Sequence, residues 1–370
     1  MTNRHVKVEA GRRRRSGRSL LLGCVAALAA GALVWTGVGL AAATTGSGGA
    51  AASGIRSAAV WTGAGTAVAF ADADGNLNYR WQAVGTSTWR QQRIATGHYG
   101  GPAITYTDHG VIVTATEASG QLDCWWLPTS STVWRQQVVA KGSFRSTVAI
   151  AWTHASVVIT DTDNDGRLYL WRQDTRSTTW HRAVIADDDS FGAPAIVWTG
   201  HSVVVTAVDR DGKLCWWQDG DGASWSERTI ASRAAGAPSI TWTGSRLALT
   251  VVDRDGNLDY WWQDDDGASW SERTIAAHAA GAPSITWTGN RLALTDVDRD
   301  GNLDYWWQDS DSAVWHEHTI DTGGNTAPVV VTAGDSELVL DVTTDHSDSR
   351  EIDAWWLNSD TDTWQHEIVS

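Results

Sequence analysis

"DRDGNLDYWWQD" occupies Asp253–Asp264 and returns unchanged at Asp298–Asp309. The Asp-Gly step inside it is a strong hairpin signal, because glycine adopts the positive φ of a tight turn without steric cost. After the turn, "NLDYWWQD" (Asn302–Asp309) reads as a strand, and before it so does "RLALTDVD" (Arg291–Asp298). "APSITWTG" (Ala282–Gly289) and "VWHEHTI" (Val314–Ile320) complete a unit of four short strands. No segment carries a sustained helical period.

Weaker copies of the unit fill the chain. The last tryptophan of each falls at Trp89, Trp134, Trp180, Trp225, Trp270, Trp315 and Trp364, at spacings of 45, 46, 45, 45, 45 and 49. That period explains why 25 of the 370 residues are Trp while only three are Phe. Seven repeats with Gly and aromatic punctuation predict an all-β protein, a seven-bladed β-propeller with four antiparallel strands per blade. The first unit opens on its first strand and the seventh closes on its fourth, "WQHEIVS". No blade is then shared between the termini, and closure rests on face packing of the first blade against the last.

The chain divides as 1–43, 44–57 and 58–370. In the first part Arg4, Lys7, Arg12, Arg13, Arg14, Arg15 and Arg18 stand against Glu9, followed by the apolar run Leu20–Ala43 ending on Ala41-Ala42-Ala43. This is the pattern of an export signal peptide, and the run is also long enough for an uncleaved N-terminal membrane anchor. Either reading makes the protein secreted, or extracytoplasmic and anchored. A Gly/Ala/Ser-rich linker, 44–57, follows. With the basic residues concentrated at the start, the body is more acidic than the chain's net −15, which argues against nucleic acid as a partner. Only Cys124 and Cys215 lie in the repeats, in similar places two units apart, so no disulfide is expected between them.

Side chains alternate across a strand, so each Trp pair is divided between two faces. In unit six Leu303, Tyr305 and Trp307 share one face and Asp304, Trp306 and Gln308 the other. The first set is read as interblade filler, with Trp81, Trp126, Trp217, Trp262 and Trp356 as equivalents of Trp307. The second set, an indole beside a carboxylate, suits a sugar, which offers a C–H face to stack and hydroxyls that need polar partners. Candidate sugar-binding pairs are therefore Asp123 with Trp125, Asp259 with Trp261, Asp304 with Trp306, and Asp353 with Trp355. Units one and three carry Asn78 with Arg80 and Tyr169 with Trp171 instead, and unit four carries Leu214 with Trp216 after a one-residue deletion. Trp242 with Arg246 and Trp287 with Arg291, in "WTGSR" and "WTGNR", add an Arg able to donate hydrogen bonds to a ligand lying between blades.

The segment "RLALTVVDRDGNLDYWWQDDDGASWSERTI" (Arg246–Ile275) resembles the repeat of the PLL-like family of seven-bladed bacterial lectins. The resemblance extends over all seven units. It implies pockets between adjacent blades that bind fucose or related sugars, including O-methylated ones; glycans or glycoconjugates are the expected partners, with no cofactor and no catalytic residue expected.

Three other readings compete. Asp296, Asp298, Asp300 and Asp304 have spacing similar to the Ca²⁺ loops of FG-GAP propellers. Only unit six carries the full set, however, and the plain hairpin turn is the preferred reading. Asp265–Trp270 resembles an Asp box of sialidase propellers, but no unit holds an unrepeated constellation that a glycosidase would need, so an enzyme is not expected. A propeller scaffold for protein binding is the remaining alternative.

Overall fold

The computed structural model describes residues 56–370 except 146–147, 221–223, 264–266, 268, 310–313, 324, 326–327, 334–335, 345–349, 359–362 and 370. The expected signal or anchor and nearly all of the linker lie outside the described residues. So does half of the segment resembling an Asp box, residues 265, 266 and 268. No helix among the described residues is long and apolar enough to cross a membrane.

Twenty-eight strands form seven four-stranded antiparallel sheets. The blades begin at Arg56, Ala103, Ala149, Ala195, Ala234, Ser284 and Val329, and each sheet keeps its strands in chain order. The innermost strand of each blade contacts that of the next, and the last, Val329–Ala333, contacts the first, Arg56–Trp61. The propeller therefore closes with no strand exchanged between its ends, as the repeat register predicts. Ala59, Val68 and Phe70 of the first blade pack on Val329, Leu338, Leu340, Ile352 and Val369 of the last. Gln82 Nε2 also donates to Glu367 Oε2 at 3.2 Å across this seam.

The second and third strands of each of the first six blades are joined by the same short turn. In blade six Gly301 N donates to the Asp298 carbonyl at 3.1 Å, and Gly301 sits at φ 81°. Asp298 Oδ1 accepts the backbone N–H groups of Asp300 and Asn302 at 2.8 and 2.9 Å, and its Oδ2 accepts Asn302 Nδ2 at 2.8 Å. This is an Asx-stabilised three-residue loop with glycine in the left-handed region. Asp298 thus uses both carboxylate oxygens to hold its own turn. Asp296 accepts Trp306 Nε1 at 2.9 Å and Asp304 accepts Thr319 Oγ1 at 2.7 Å, so three of the four carboxylates in the calcium-like spacing already serve protein donors.

The core is a ring of interblade clusters. Third-strand side chains at the position of Tyr305 face the following blade, and the last tryptophan of that blade meets them edge-on. Trp134 lies 5.1 Å from Tyr79, Trp315 5.1 Å from Tyr260, and Trp364 4.9 Å from Tyr305, at interplanar angles of 77°, 72° and 72°. Trp270 meets Trp216 in the same way at 5.8 Å, which makes Trp216 the equivalent of Tyr305. Strand pairing agrees, since Thr206 faces Trp216 as Thr295 faces Tyr305. The residue that unit four lacks is therefore missing from the loop after the third strand and not from the strand itself. Cys215 occupies the place of Asp304, Trp217 that of Trp306, and Gln218 that of Trp307. Cys124 and Cys215 are both buried and free.

Candidate functional site

The division of the paired tryptophans is the reverse of the one read from alternation. Trp125, Trp261 and Trp306 are only 1%, 9% and 7% exposed, packed against the preceding blade. Trp355 is partly buried and stacks on His366 at 4.2 Å. By contrast, Trp81, Trp262, Trp307 and Trp356 are partly exposed, and Trp126 is 37% exposed. Alternation correctly places the two on opposite faces, but both faces of a propeller blade are covered. What differs is position along the strand. Trp306 lies across from Leu294 in mid-sheet, whereas Trp307 lies one step nearer the end, across from Ala293.

The carboxylates paired with these indoles are buried too. Asp123 accepts Gln121 Nε2 at 3.0 Å through both oxygens, and Asp259 accepts Thr274 Oγ1 at 2.7 Å, matching Asp304 with Thr319. His366 Nε2 lies 2.5 Å from Asp353. Burial raises Asp123, Asp259 and Asp304 above the usual carboxylate range, with these side-chain hydrogen bonds opposing it. The Asp-Trp pairs are structural elements of the blade interfaces, which corrects the expectation that they line an open groove.

The Trp-Arg motifs lead elsewhere. In "WTGSR", Thr243 N donates to the Arg246 carbonyl at 3.0 Å and Thr243 Oγ1 accepts Arg246 N at 3.1 Å, with Gly244 at φ 92°. The same clasp holds Arg291, where Thr288 Oγ1 accepts Arg291 N at 3.2 Å. Each clasp fixes its Arg at the rim of a sheet, facing the following blade. Between blades five and six this opens a cleft of about 290 Å³ lined by Thr243, Ser245 and Arg246 of one blade and Trp287, Leu292, Gln308 and Asp309 of the next. The sequence motif joined Arg246 to Trp242 and Arg291 to Trp287. The fold instead brings Arg246 to Trp287, from successive units, while Trp242 packs into the interface between blades four and five.

The equivalent place between blades six and seven is filled. Arg291 Nε lies 3.6 Å from Asp309 Oδ1 and 3.8 Å from Glu337 Oε1, and Tyr305 donates its hydroxyl to Glu337 Oε2. Sequence reasoning missed Glu337, Tyr260 and Leu292, and it placed Gln308, which does line the cleft, beside Trp306 rather than Trp287. Each becomes visible only once one unit is laid against the next rather than read alone.

The sequence matches no family model and no curated protein. Its fold matches solved structures. The BP39L lectin from Burkholderia pseudomallei superposes with a TM-score of 0.74 at 17% identity, covering 85% of this chain and 98% of that one. The SapL1 lectin in complex with alpha methyl fucoside gives 0.53 at 14% identity, covering 73% and 95%. The Aleuria aurantia lectin in complex with Fucalpha1-6GlcNAc gives 0.53 at 14%, covering 73% and 96%. At these identities the likeness establishes the architecture: this chain has the β-propeller fold on which those lectins are built.

Proposed function

We propose that the chain is an exported carbohydrate-binding protein, a lectin without catalytic activity, and that its sugar lies in the cleft between blades five and six. The observation that carries this is the meeting of Trp287 and Arg246 from successive blades. An indole offers a flat apolar surface to the C–H face of a pyranose, and a guanidinium offers several fixed donors to its oxygens. Gln308 and Asp309 add acceptors for hydroxyl protons, while Leu292 forms an apolar floor. A small set of polar groups around an apolar wall is the usual composition of a small-ligand pocket. The fold neighbours support the class of ligand, since two of them hold fucosides. Export rests on the basic cluster and apolar run at the N-terminus.

A glycan array probed with the purified protein, followed by calorimetry of any hit with its monovalent glycoside, tests the proposal. Trp287→Ala is expected to weaken binding by at least about tenfold, the equivalent of ~1.4 kcal/mol. Trp242→Ala, which truncates the same motif away from the cleft, should leave the affinity near that of the parent. Binding to no glycan, or equal affinity in the parent and Trp287→Ala, would refute it.

A further inference from the structure

The propeller contains two clefts of one design, and one of them carries its own occupant. Strand register makes the residues equivalent: Trp287 pairs with Leu292 as Thr332 pairs with Glu337, and Ala293 faces Trp307 as Leu338 faces Trp356. Glu337 therefore stands where Leu292 stands one blade earlier. Arg291 corresponds to Arg246 and Tyr305 to Tyr260. Between blades six and seven the Glu337 carboxylate, 6% exposed, takes the guanidinium of Arg291 on one oxygen and the hydroxyl of Tyr305 on the other.

Between blades five and six the two donors are present and the acid is not. Tyr260 is 2% exposed, and its hydroxyl is buried with no hydrogen-bond partner among the described residues. It shares an interblade cluster with Leu292 and Trp287. Burial pushes the Tyr260 hydroxyl up to about 12, opposed by the charges of Arg246 and Arg273, so it remains a proton donor at neutral pH. Arg246 forms no ion pair or side-chain hydrogen bond among the described residues. The buried indole N–H of Trp287 is also without a partner there. A buried donor left unsatisfied is costly, and two of them, the Tyr260 hydroxyl behind the cleft and the Trp287 indole N–H in its wall, together with the half-buried guanidinium of Arg246, call for a ligand rich in acceptors.

The acid that lines the cleft among the described residues, Asp309, lies at the rim and is drawn to Arg291 of its own blade at 3.6 Å. Among the described residues it therefore leaves the positive charge of Arg246 unneutralised while still accepting from ligand hydroxyls. We infer that the cleft between blades five and six binds a sugar through a carboxylate, a hexuronate, which supplies what Glu337 supplies internally one blade later. In this arrangement Arg246 and the Tyr260 hydroxyl take the carboxylate, and Trp287 stacks on the ring. Carboxylate-to-guanidinium bonds are stronger than neutral ones and have the planar geometry that Arg favours. The inference deepens the lectin reading and rests on it.

The test sets each acid against its own neutral form. Methyl glucuronide and methyl galacturonide, and the methyl ester of each, are titrated calorimetrically into the full chain at low salt. At least one acid is expected to bind at least about tenfold more tightly than its ester, and to weaken as ionic strength rises. Leu292→Glu transplants the internal plug. It should abolish uronide binding and also raise the Tm, because the donors of Arg246 and Tyr260 gain a partner. A misfolded variant would lose binding and lower the Tm. Arg246→Gln should remove the preference for acid over ester even if that variant is less stable. Equal affinity for acid and ester overturns the inference but leaves the lectin reading standing. The same holds if the uronides fail to bind while a neutral glycan from the array binds in a Trp287-dependent way. If neither uronides nor array glycans bind, both fail.

Discussion

At the residue scale, the double tryptophan is a device for joining blades, with one indole serving each neighbour. Trp217 shows this, since it is 1% exposed within the cluster between blades three and four, where its Nε1 donates to Glu227 Oε2 at 3.3 Å. Truncating a side chain so enclosed loses its contacts and leaves a cavity that the rigid sheets cannot fill, at a cost of about 3–5 kcal/mol. Trp217→Ala should therefore lower the urea midpoint severely, whereas Trp126→Ala, at a 37% exposed position, should lower it much less. Equal losses would mean that the two positions along the strand are equivalent. Period-two alternation was legible in the sequence and placed the two indoles correctly on opposite faces. Which face reaches solvent was not legible, because in a propeller neither does. Exposure there depends on distance from the rim, which a single unit read alone does not reveal.

The hairpin element was the most legible, because its chemistry is local. An Asp that caps its own loop, replaced by Glu117 in blade two, and a Gly three residues on are both readable as letters, and the turn forms in six blades. The use to which the fold puts it was less visible. The carbonyl of the turn glycine accepts a backbone N–H from the segment entering the next blade: Tyr99 N to Gly75 at 2.9 Å, Phe191 N to Gly166 at 2.9 Å and Ala234 N to Gly212 at 2.9 Å. The turn thus anchors the chain as it crosses between sheets. Gly120 has φ 82°, and a Cβ there would lie 2.4 Å from the Gly142 carbonyl oxygen, which is backbone and cannot swing away. Gly63, in the turn between first and second strands, has φ 78° with nothing within 4 Å of such a Cβ. Gly63→Ala should cost roughly 1–2 kcal/mol, the strain of the left-handed conformation alone. Gly120→Ala carries that strain plus displacement of the crossing segment and should cost clearly more by denaturant unfolding. If the two cost the same, the crossing segment yields freely and the anchoring role is wrong. The Trp-Thr-Gly-x-Arg clasp was legible in the same local way, but its ligand-facing partner was not, since Arg246 finds Trp287 only through the packing of one sheet on another.

At the scale of the whole molecule, the repeat count and spacing predicted the ring and its manner of closure. They say nothing of the electrostatic cost of stacking acidic blades. Asp161 and Asp296 occupy equivalent second-strand positions and are 0% and 2% exposed. Burial drives both upward, Asp161 well above the usual carboxylate range and Asp296 to about 7. The Trp306 hydrogen bond opposes the shift in Asp296, and the neighbouring charges of Asp304, Asp298 and Glu317 add to it. A carboxyl whose folded pKa lies above its unfolded value binds its proton more tightly in the native state. Its contribution is then fully present below about pH 4 and is lost as pH rises through about 7, at no more than about 1.4 kcal/mol per pH unit. Blade five supplies the control, because Val251 fills the equivalent place at 1% exposure and Trp261 Nε1 is left without a partner among the described residues. Asp296→Val copies that arrangement and removes the titrating group at the cost of one hydrogen bond. Other carboxylates shape the full curve, and Asp72 and Asp253, held low by hydrogen bonds in their turns against the effect of burial, act in the opposite sense. The difference between variant and parent isolates Asp296. Measured by urea unfolding, Asp296→Val should gain on the parent steadily between pH 4 and pH 7 and hold a constant difference above that. A difference that does not change across the window would mean that Asp296 is ionised in the folded propeller throughout, and that the interface between blades five and six admits enough water to keep it so.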